Sequence, residues 1–305
     1  METLEALARQ VDTTEDLRGI VGTMKSLAAV SIRQYEQAAE TLADYADTVE
    51  RGLKILLLQQ SLAGEIKEKP PDGPVGLVVF GSDHGLCGRF NAEVVAKALR
   101  HDLPAGGRRR WLAVGGRAAD RLQAEEAQVE QALSLPSSAD GLVETAYALI
   151  EAVEAWRRDG VGHVLLVHNR RGQQTPATPV LRQMLPLDPA WLKRLQEEPW
   201  PQRGLPIHRA PADQLFTELV RQHLFVVVFR AAAESLASEH ASRLASMQAA
   251  ERNIDERLGE LRGAYRHRRQ QTITEELLDV VSGFEALGGG DDDEDAEAIE
   301  QDEAR

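Results

Sequence analysis

Apolar and small side chains recur three or four residues apart along the first part of the chain. This spacing is typical of a helix that buries one face against another helix, as in a coiled coil. No proline interrupts residues 1–68, so we expect this segment to be an N-terminal coiled-coil helix. The positions that define the buried face are Leu4, Leu7, Val11, Val21, Met24, Ala28, Ile32, Tyr35, Ala39, Leu42, Ala46, Val49, Leu53 and Leu56.

A different pattern begins after the proline-rich sequence KEKPPDGPVG, which no helix can continue through. Short apolar runs, typical of strands, then alternate with segments whose apolar residues have helical spacing, as in a parallel α/β sheet. We therefore predict a Rossmann-like α/β domain over residues 74–210. Its strands are predicted at 76–82, 109–116 and 161–169. Helices are predicted at 91–103 and 139–158, with a further short helix directly after the second strand.

The end of the predicted domain, residues 173–211, contains eight of the thirteen prolines. We expect irregular loops here, with RGLPIHRA as a short edge strand. Proline then disappears, and helical spacing returns over residues 212–287, which predicts a C-terminal coiled-coil helix. The sequence HLFVVVF at 223–229 favours a strand by composition, but we predict that it stays helical.

The two terminal helices are expected to pair as an antiparallel coiled coil, with the α/β domain between them in the chain. Toward the chain's end the seam becomes polar, with Glu251, Arg268 and Thr272 at positions where apolar residues would pack. This change indicates that the last part of the second helix meets a surface other than the first helix.

Charge is concentrated at the C-terminus. The chain of 305 residues carries a net charge of −14, of which residues 288–305 hold −8 through nine acids and one arginine. Three glycines and an acidic run cannot bury apolar surface, so residues 288–305 are predicted to be a disordered acidic tail. We expect a soluble, cytoplasmic protein, because no run is long and apolar enough to span a membrane and the start lacks signal-peptide features.

The segment that most resembles a chemical site is FGSDHGLCGRFN at 80–91, a glycine-rich turn between a strand and a helix. It matches neither GxGxxG nor GxxxxGK[ST], so nucleotide binding is not favoured. Cys87 with His84 as its base lacks a third orienting group. We interpret the segment as a tight structural turn that packs the sheet, with these residues in it: Asp83, Gly85, Cys87, Gly88 and Asn91.

The sequence does not favour binding of a metal, a cofactor, nucleic acid or a small-molecule substrate. The histidines show no HxxxH or HExxH spacing, and a single cysteine excludes a cysteine-based zinc site, so no metal or cofactor is predicted. The basic runs at 108–110 and 266–269 lack interleaved aromatics, which argues against nucleic acid. We expect the first run to be solvated and the second to contact protein, and we predict no direct small-molecule substrate.

Three segments together resemble one known family. LRGIVGTMKSLAAVSIRQYE at 17–36 is similar to the N-terminal helix of F-type ATP synthase gamma subunits. The stretch 239–287 resembles their signature helix, with EHA, an ARQ-like RRQ, the ITxEL core at 273–277 and VSG at 281–283. SDHGLCGRFN also looks like the family's STDRGLCGGLN, whereas residues 104–210 match weakly.

The resemblance implies a non-catalytic rotor subunit, in which a coiled coil enters a ring of three alpha and three beta subunits. The α/β domain would lie near the epsilon subunit and the membrane c-ring, at the cytoplasmic face of a bacterial inner membrane, as a peripheral protein. By the same resemblance, Arg269, Gln270, Thr274 and Glu276 match contacts to the beta-subunit catch loops. Met24 matches a methionine near the same region, and Arg243 lies in the EHAxR stretch.

Two departures from the family pattern suggest a divergent branch. The usual AASKM reads AAVSI at 28–32, and the acidic tail extends past the usual helix end. The atypical sodium-transporting bacterial type is one candidate, and the choice between protons and sodium stays open because the gamma chain does not bind the ion. The alternative interpretation is a Rossmann-like nucleotide-dependent enzyme with helical dimerisation arms, which would bind nucleotide through residues 81–88.

Overall fold

The computed structural model describes residues 3–59, 73–101, 108–200, 204 and 206–288. The predicted acidic tail therefore lies outside the described residues except for Gly288, and so does most of the proline-rich link that follows the first helices. The described chain falls into two compact units. One comprises Met24–Gln248, and the other combines Met1–Thr23 with Ala249–Arg305.

The N-terminal segment forms two helices where the sequence predicts one. Helix α1 spans Leu4–Thr41 and α2 spans Ala43–Leu58, separated by a turn at Leu42. Leu42 keeps helical dihedral angles (φ −80°, ψ −5°) and no side chain caps α2, so the interruption is a local distortion of the helical backbone. Of the predicted seam, Leu7, Ala28, Ile32, Tyr35, Val49, Leu53 and Leu56 are buried.

The predicted α/β sheet is present and has five strands in the order β3-β2-β1-β4-β5. The first four are parallel, and β5 runs antiparallel to β4. The strands are β1 Val75–Phe80, β2 Arg109–Val114, β3 Val129–Leu133, β4 His163–Arg170 and β5 Thr178–Leu185. The helices of this region are α3 Phe90–Leu99, α4 Gly116–Ala124, α5 Leu142–Arg158 and α6 Pro189–Glu197.

Side chains on β1 alternate between two cores, as a central strand requires. Val78 and Phe80 join a cluster that includes α5, Tyr35 of α1 and residues 224–237 of the C-terminal helix. Val75, Leu77 and Val79 point to the other face, where α3 and α4 cover the sheet. The sheet is therefore buried on both faces, which explains the continuous apolar run of β1.

One strand of this domain was not predicted, and two sequence expectations are wrong. Strand β3 has the sequence VEQAL and is mostly exposed, so no apolar pattern announced it. Strand β5 lies where irregular loops were expected, and an edge position tolerates its Pro179. In RGLPIHRA no described residue belongs to a strand, because β5 already pairs with β4 at that edge; Ile207 is 92% exposed.

The C-terminal helix α7 spans Ala212–Gly288 and contributes to both units. Residues 223–229 lie within it, which confirms their helical prediction, and five of them are buried: Leu224, Phe225, Val226, Val228 and Phe229. In the unit that contains the N-terminus, Arg18 bonds Asp255 and Arg262 bonds Glu15. The order of these pairs shows that α1 and α7 are antiparallel, as predicted. Among the described helices, none is both long and apolar enough to cross a membrane.

Candidate functional site

The glycine-rich turn after β1 is held by a network around Asn91. The Asn91 Oδ1 accepts a hydrogen bond from the Ser82 backbone N–H at 2.9 Å, and its Nδ2 donates to Ser82 Oγ at 2.7 Å. The Cys87 thiol lies 3.6 Å from Ser82 Oγ and is buried. Burial raises the pKa of the Cys87 thiol, which disfavours the thiolate that a nucleophile requires.

Asp83 ties the turn to two neighbouring segments of the sheet. One carboxylate oxygen accepts from the Gly116 N–H at 2.8 Å, and the other accepts from the Leu135 N–H at 2.7 Å. A carboxylate at this place repels a phosphate and already occupies the N–H at the start of α4. The structure therefore brings Asp83, Cys87 and Asn91 together in a packed turn, and their contacts are those of structural residues.

The same turn approaches α7 closely. Gly88 has φ +60°, and a Cβ there would lie 3.2 Å from Ser246 Oγ of α7. The Gly85 carbonyl accepts a hydrogen bond from Arg243 Nη2 at 3.4 Å, near the long limit for such a bond. Leu86 between them has φ +63° and is 61% exposed, which is unusual for a leucine and was not predicted.

Arg243 does not lie where a partner contact would need it. Its side chain is only 9% exposed and forms a 2.6 Å ion pair with Glu239 Oε1, as well as a 3.2 Å contact with His240 Nδ1. The guanidinium is thus enclosed by groups of its own chain, and we do not carry Arg243 into the partner-contact surface proposed below.

Glu239 has an unusual environment for a carboxylate. Burial raises the pKa of Glu239 to about 7, although Arg243 opposes this rise. Its second oxygen, Oε2, is buried and has no hydrogen-bond partner among the residues that the structure describes. The neighbouring His240 ring stacks on Tyr35 at 5.6 Å between centroids, and burial lowers the pKa of His240 to about 4.

A second polar contact joins the sheet to α7. His168 of β4 is fully buried, and its Nε2 lies 2.9 Å from Glu234 Oε2 of α7. Arg182 of β5 approaches the same oxygen at 3.6 Å. Burial lowers the pKa of His168, so the ring is neutral and donates from Nε2, while Nδ1 meets no hydrogen-bond partner in the described part of the chain. Sequence reasoning missed this contact, because nothing in the sequence relates residue 168 to residue 234.

The end of α7 presents the other predicted contact residues to solvent. Arg269, Gln270, Thr274 and Glu276 are all exposed, and Thr274 Oγ1 donates to the Gln270 carbonyl at 2.8 Å. Large apolar side chains are exposed among them: Ile273, Leu277, Leu278, Val280, Val281 and Phe284. Met24 is half-buried on α1.

Sites for small ligands are poorly developed in the described part of the chain. No group of three or more histidine, cysteine or acidic side chains there could hold a metal ion. A cleft of about 700 Å³ lies along α3 rather than at the glycine-rich turn, and its lining includes Arg89, Lys97, Arg100 and Arg121. The lining also includes His101, and among its described residues there is no phenylalanine, tyrosine or tryptophan.

The fold and the exposed helix end define a protein in which an α/β domain is inserted between long terminal helices that pair with each other. The ATP synthase family profile matches residues 3–287. The ATP synthase gamma chain of Granulibacter bethesdensis is 30% identical over 305 residues, covering 94% of this chain and all of that relative. The gamma chain of Geotalea uraniireducens is 28% identical over 295 residues, covering 95% of this chain and all of that relative. The chain therefore belongs to the ATP synthase gamma chain family.

Solved structures share the fold. A chain in the Euglena gracilis mitochondrial ATP synthase structure of OSCP, F1 and c-ring has a TM-score of 0.65 at 17% identity. The match covers 94% of this chain and 95% of that chain. A chain from the central stalk and c-ring structure of the Tetrahymena thermophila mitochondrial enzyme has a TM-score of 0.55 at 19% identity, covering 76% and 99%.

Proposed function

We propose that this chain transmits torque in an F-type ATP synthase without chemistry of its own, and that the exposed end of α7 contacts the beta subunits. As a member of the gamma chain family, it is the central-stalk rotor subunit that couples ion flow through the membrane ring to ATP synthesis or hydrolysis in the alpha and beta head. The observation that carries the proposed contact surface is the exposure of apolar and polar side chains together on α7.

The apolar side chains at this end form one stripe. Ile273, Leu277, Val281 and Phe284 follow one another at intervals of three or four residues, so they lie on the same face of the helix. Phe284 is 75% exposed. A contiguous apolar stripe on a soluble helix is typical of a surface that a partner covers.

The polar residues near this stripe suit a contact that has to form and break repeatedly. Arg269, Gln270, Thr274 and Glu276 keep their side chains in solvent, where a single hydrogen bond or ion pair contributes modestly. Such contacts give direction and register without holding the partner irreversibly. Met24 on α1 belongs to the same proposed contact set by resemblance alone.

The glycine-rich turn supports the non-catalytic part of the proposal. Its cysteine is buried with a raised pKa, and its aspartate is engaged by two backbone N–H groups. These contacts leave no nucleophile and no phosphate cradle in the turn, which disfavours the alternative of a nucleotide-dependent enzyme.

The remaining partners and the location follow from the family. The epsilon subunit and the membrane c-ring are proposed to bind the chain alongside the alpha and beta subunits. We place the protein at the cytoplasmic face of a bacterial inner membrane, held there peripherally through these partners.

The test replaces Arg269, Gln270 and Thr274 together by alanine. The isolated chain should stay folded, because these side chains are exposed, whereas ATP-driven ion pumping by the reconstituted complex should fall by roughly an order of magnitude. The matched control replaces Arg252, Asn253 and Glu256, exposed residues earlier on α7, and should pump normally. Normal pumping by the first variant would refute the proposed contact surface.

A further inference from the structure

One face of α7 is polar in a stretch where the helix is otherwise packed in an apolar core. Glu239, Ser242 and Arg243 are buried, while Leu236 and Ala237 just before them belong to the main hydrophobic cluster. Ser246 continues the same face one turn later. We call these four residues, Glu239, Ser242, Arg243 and Ser246, the polar face of α7.

The glycine-rich turn rests on this polar face. Arg243 reaches the Gly85 carbonyl, and the Cα of Gly88 lies so close to Ser246 that a side chain at residue 88 would press on its hydroxyl. Glu239 holds the Arg243 guanidinium in place at 2.6 Å. The turn is thus fixed to α7 by a charged donor and by close backbone approach.

The opposite side of the turn is fixed to the sheet. Asp83 accepts from backbone groups at the start of α4 and beyond β3, and Ser82 is bonded to Asn91 of α3. The turn is therefore a bridge with one end on the sheet and the other on α7. A force along α7 reaches the sheet through this bridge as well as through the apolar core.

An ion pair at this place needs a reason other than stability. Buried ion pairs lose hydration that their mutual attraction often fails to recover, and well-packed apolar residues of similar volume are frequently as stable. The unpartnered Oε2 of Glu239 adds to that cost. What an apolar pair could not supply is the directed bond from Arg243 to the Gly85 carbonyl.

We infer that Glu239 and Arg243 are positioning residues for torque transfer, which lock the glycine-rich turn, and with it the sheet, onto α7. Loss of this lock lets the turn move relative to α7 while the hydrophobic core stays intact. Ion pumping per ATP hydrolysed then falls, because part of the motion of α7 is no longer passed to the sheet. The inference rests on the gamma-chain function and not on the proposed beta-contact surface.

Glu239 has a pKa close to neutral pH, whereas the pKa values of the buried groups around it are shifted away from neutral pH. The Tyr35 pKa is raised by burial, the Cys87 pKa is raised by burial, and the His240 pKa is about 4, so these three stay neutral there. Asp83 and Arg243 are the charged groups that face it. Protonation of Glu239 removes the negative charge that pairs with the Arg243 guanidinium.

The experiment uses the double variant Glu239→Leu/Arg243→Met, which replaces the ion pair by apolar residues of similar size. In the full-length chain we expect an unchanged melting temperature and amide hydrogen exchange at residues 83–89 faster by about tenfold, the effect of losing a charge-assisted hydrogen bond. In the reconstituted complex, ATP hydrolysis should persist while ions pumped per ATP decrease.

Two controls keep the test decisive. Lys193→Met removes an exposed i,i+4 ion pair of α6 and should change neither exchange at the turn nor pumping. Glu239→Gln keeps the shape of the side chain and should change both in the same direction as the double variant, so the inference stays testable if the double variant misfolds. Unchanged exchange at residues 83–89, or faster exchange with normal pumping per ATP, would overturn the inference.

Discussion

Two stretches of helix α7 both contain large apolar side chains, but these side chains are buried in one stretch and exposed in the other. Residues 224–247 belong to the unit Met24–Gln248 and place large apolar side chains in the main core. Residues 269–284 belong to the other unit and expose apolar side chains of the same types. Leu236 is 4% exposed and Leu278 is 60% exposed. The apolar side chains of the first stretch are part of the folded core, whereas those of the second stay exposed and form the surface that we propose a partner covers.

The polar residues of the two stretches differ in the same way. In the first stretch, Glu234 and Arg243 are engaged by His168 and Glu239 of their own chain. In the second, Arg269 and Glu276 form no ion pair within the described part of the protein. These charged groups are thus paired within the chain where the helix is packed, and they remain in water where a partner is expected.

Matched leucine substitutions should give the largest effect. Leu236→Ala removes a buried side chain and leaves a cavity, so the free energy of unfolding should fall by about 2–5 kcal/mol. Leu278→Ala should change it by less than about 0.5 kcal/mol, because that side chain is already in water. Urea unfolding of the full-length chain measures both values. Equal losses would show that the exposed stretch is packed within the chain, contrary to the structure.

Lowering the pH is expected to have a smaller effect on the free energy of unfolding. His223 of α7 stacks on Trp191 at 4.4 Å, and burial lowers its pKa from 6.5 to about 4. The unfolded chain therefore takes up a proton near pH 6.5 while the folded chain stays neutral, so this residue favours unfolding as pH falls. Between about pH 7 and about pH 5 the loss should be up to about 2 kcal/mol.

The measurement compares His223→Leu with the unsubstituted chain at both pH values. The stability difference between them should shift toward the variant at the lower pH. An equal change in stability between the two pH values for the variant and the unsubstituted chain would contradict the burial of His223.

Periodicity predicted the elements that bury a whole face. The seam of α1 and α2, the central strands β1 and β4 and the helical state of residues 223–229 all follow from apolar spacing, because packing in the core demands it. Strands β3 and β5 were not predicted, because they lie at the edges of the sheet and edge strands need not be apolar. VEQAL has little to bury, and the prolines around β5 resemble a loop when neighbouring strands are unknown.

The sequence likewise predicted one part of the candidate site, the position of the glycine-rich turn, but not the contacts that the turn makes. The turn could be located from its glycines, and its closeness to a helix start was predictable from the order of elements. Three contacts could not be found, because their partners lie far apart in the chain: Asp83 with Leu135, Arg243 with Gly85, and Glu234 with His168. Resemblance placed Arg243 on a surface, and only the fold reveals that this residue is enclosed by the turn and by Glu239.

The most direct test of the central claim is assembly. The purified full-length chain is mixed with cognate alpha and beta subunits, and the mixture is analysed by size-exclusion chromatography together with ATPase assays. We predict one species containing all three chains, with ATPase activity above that of the alpha and beta subunits alone. Separate elution of a folded chain from competent alpha and beta subunits, with no change in ATPase activity, would contradict the account.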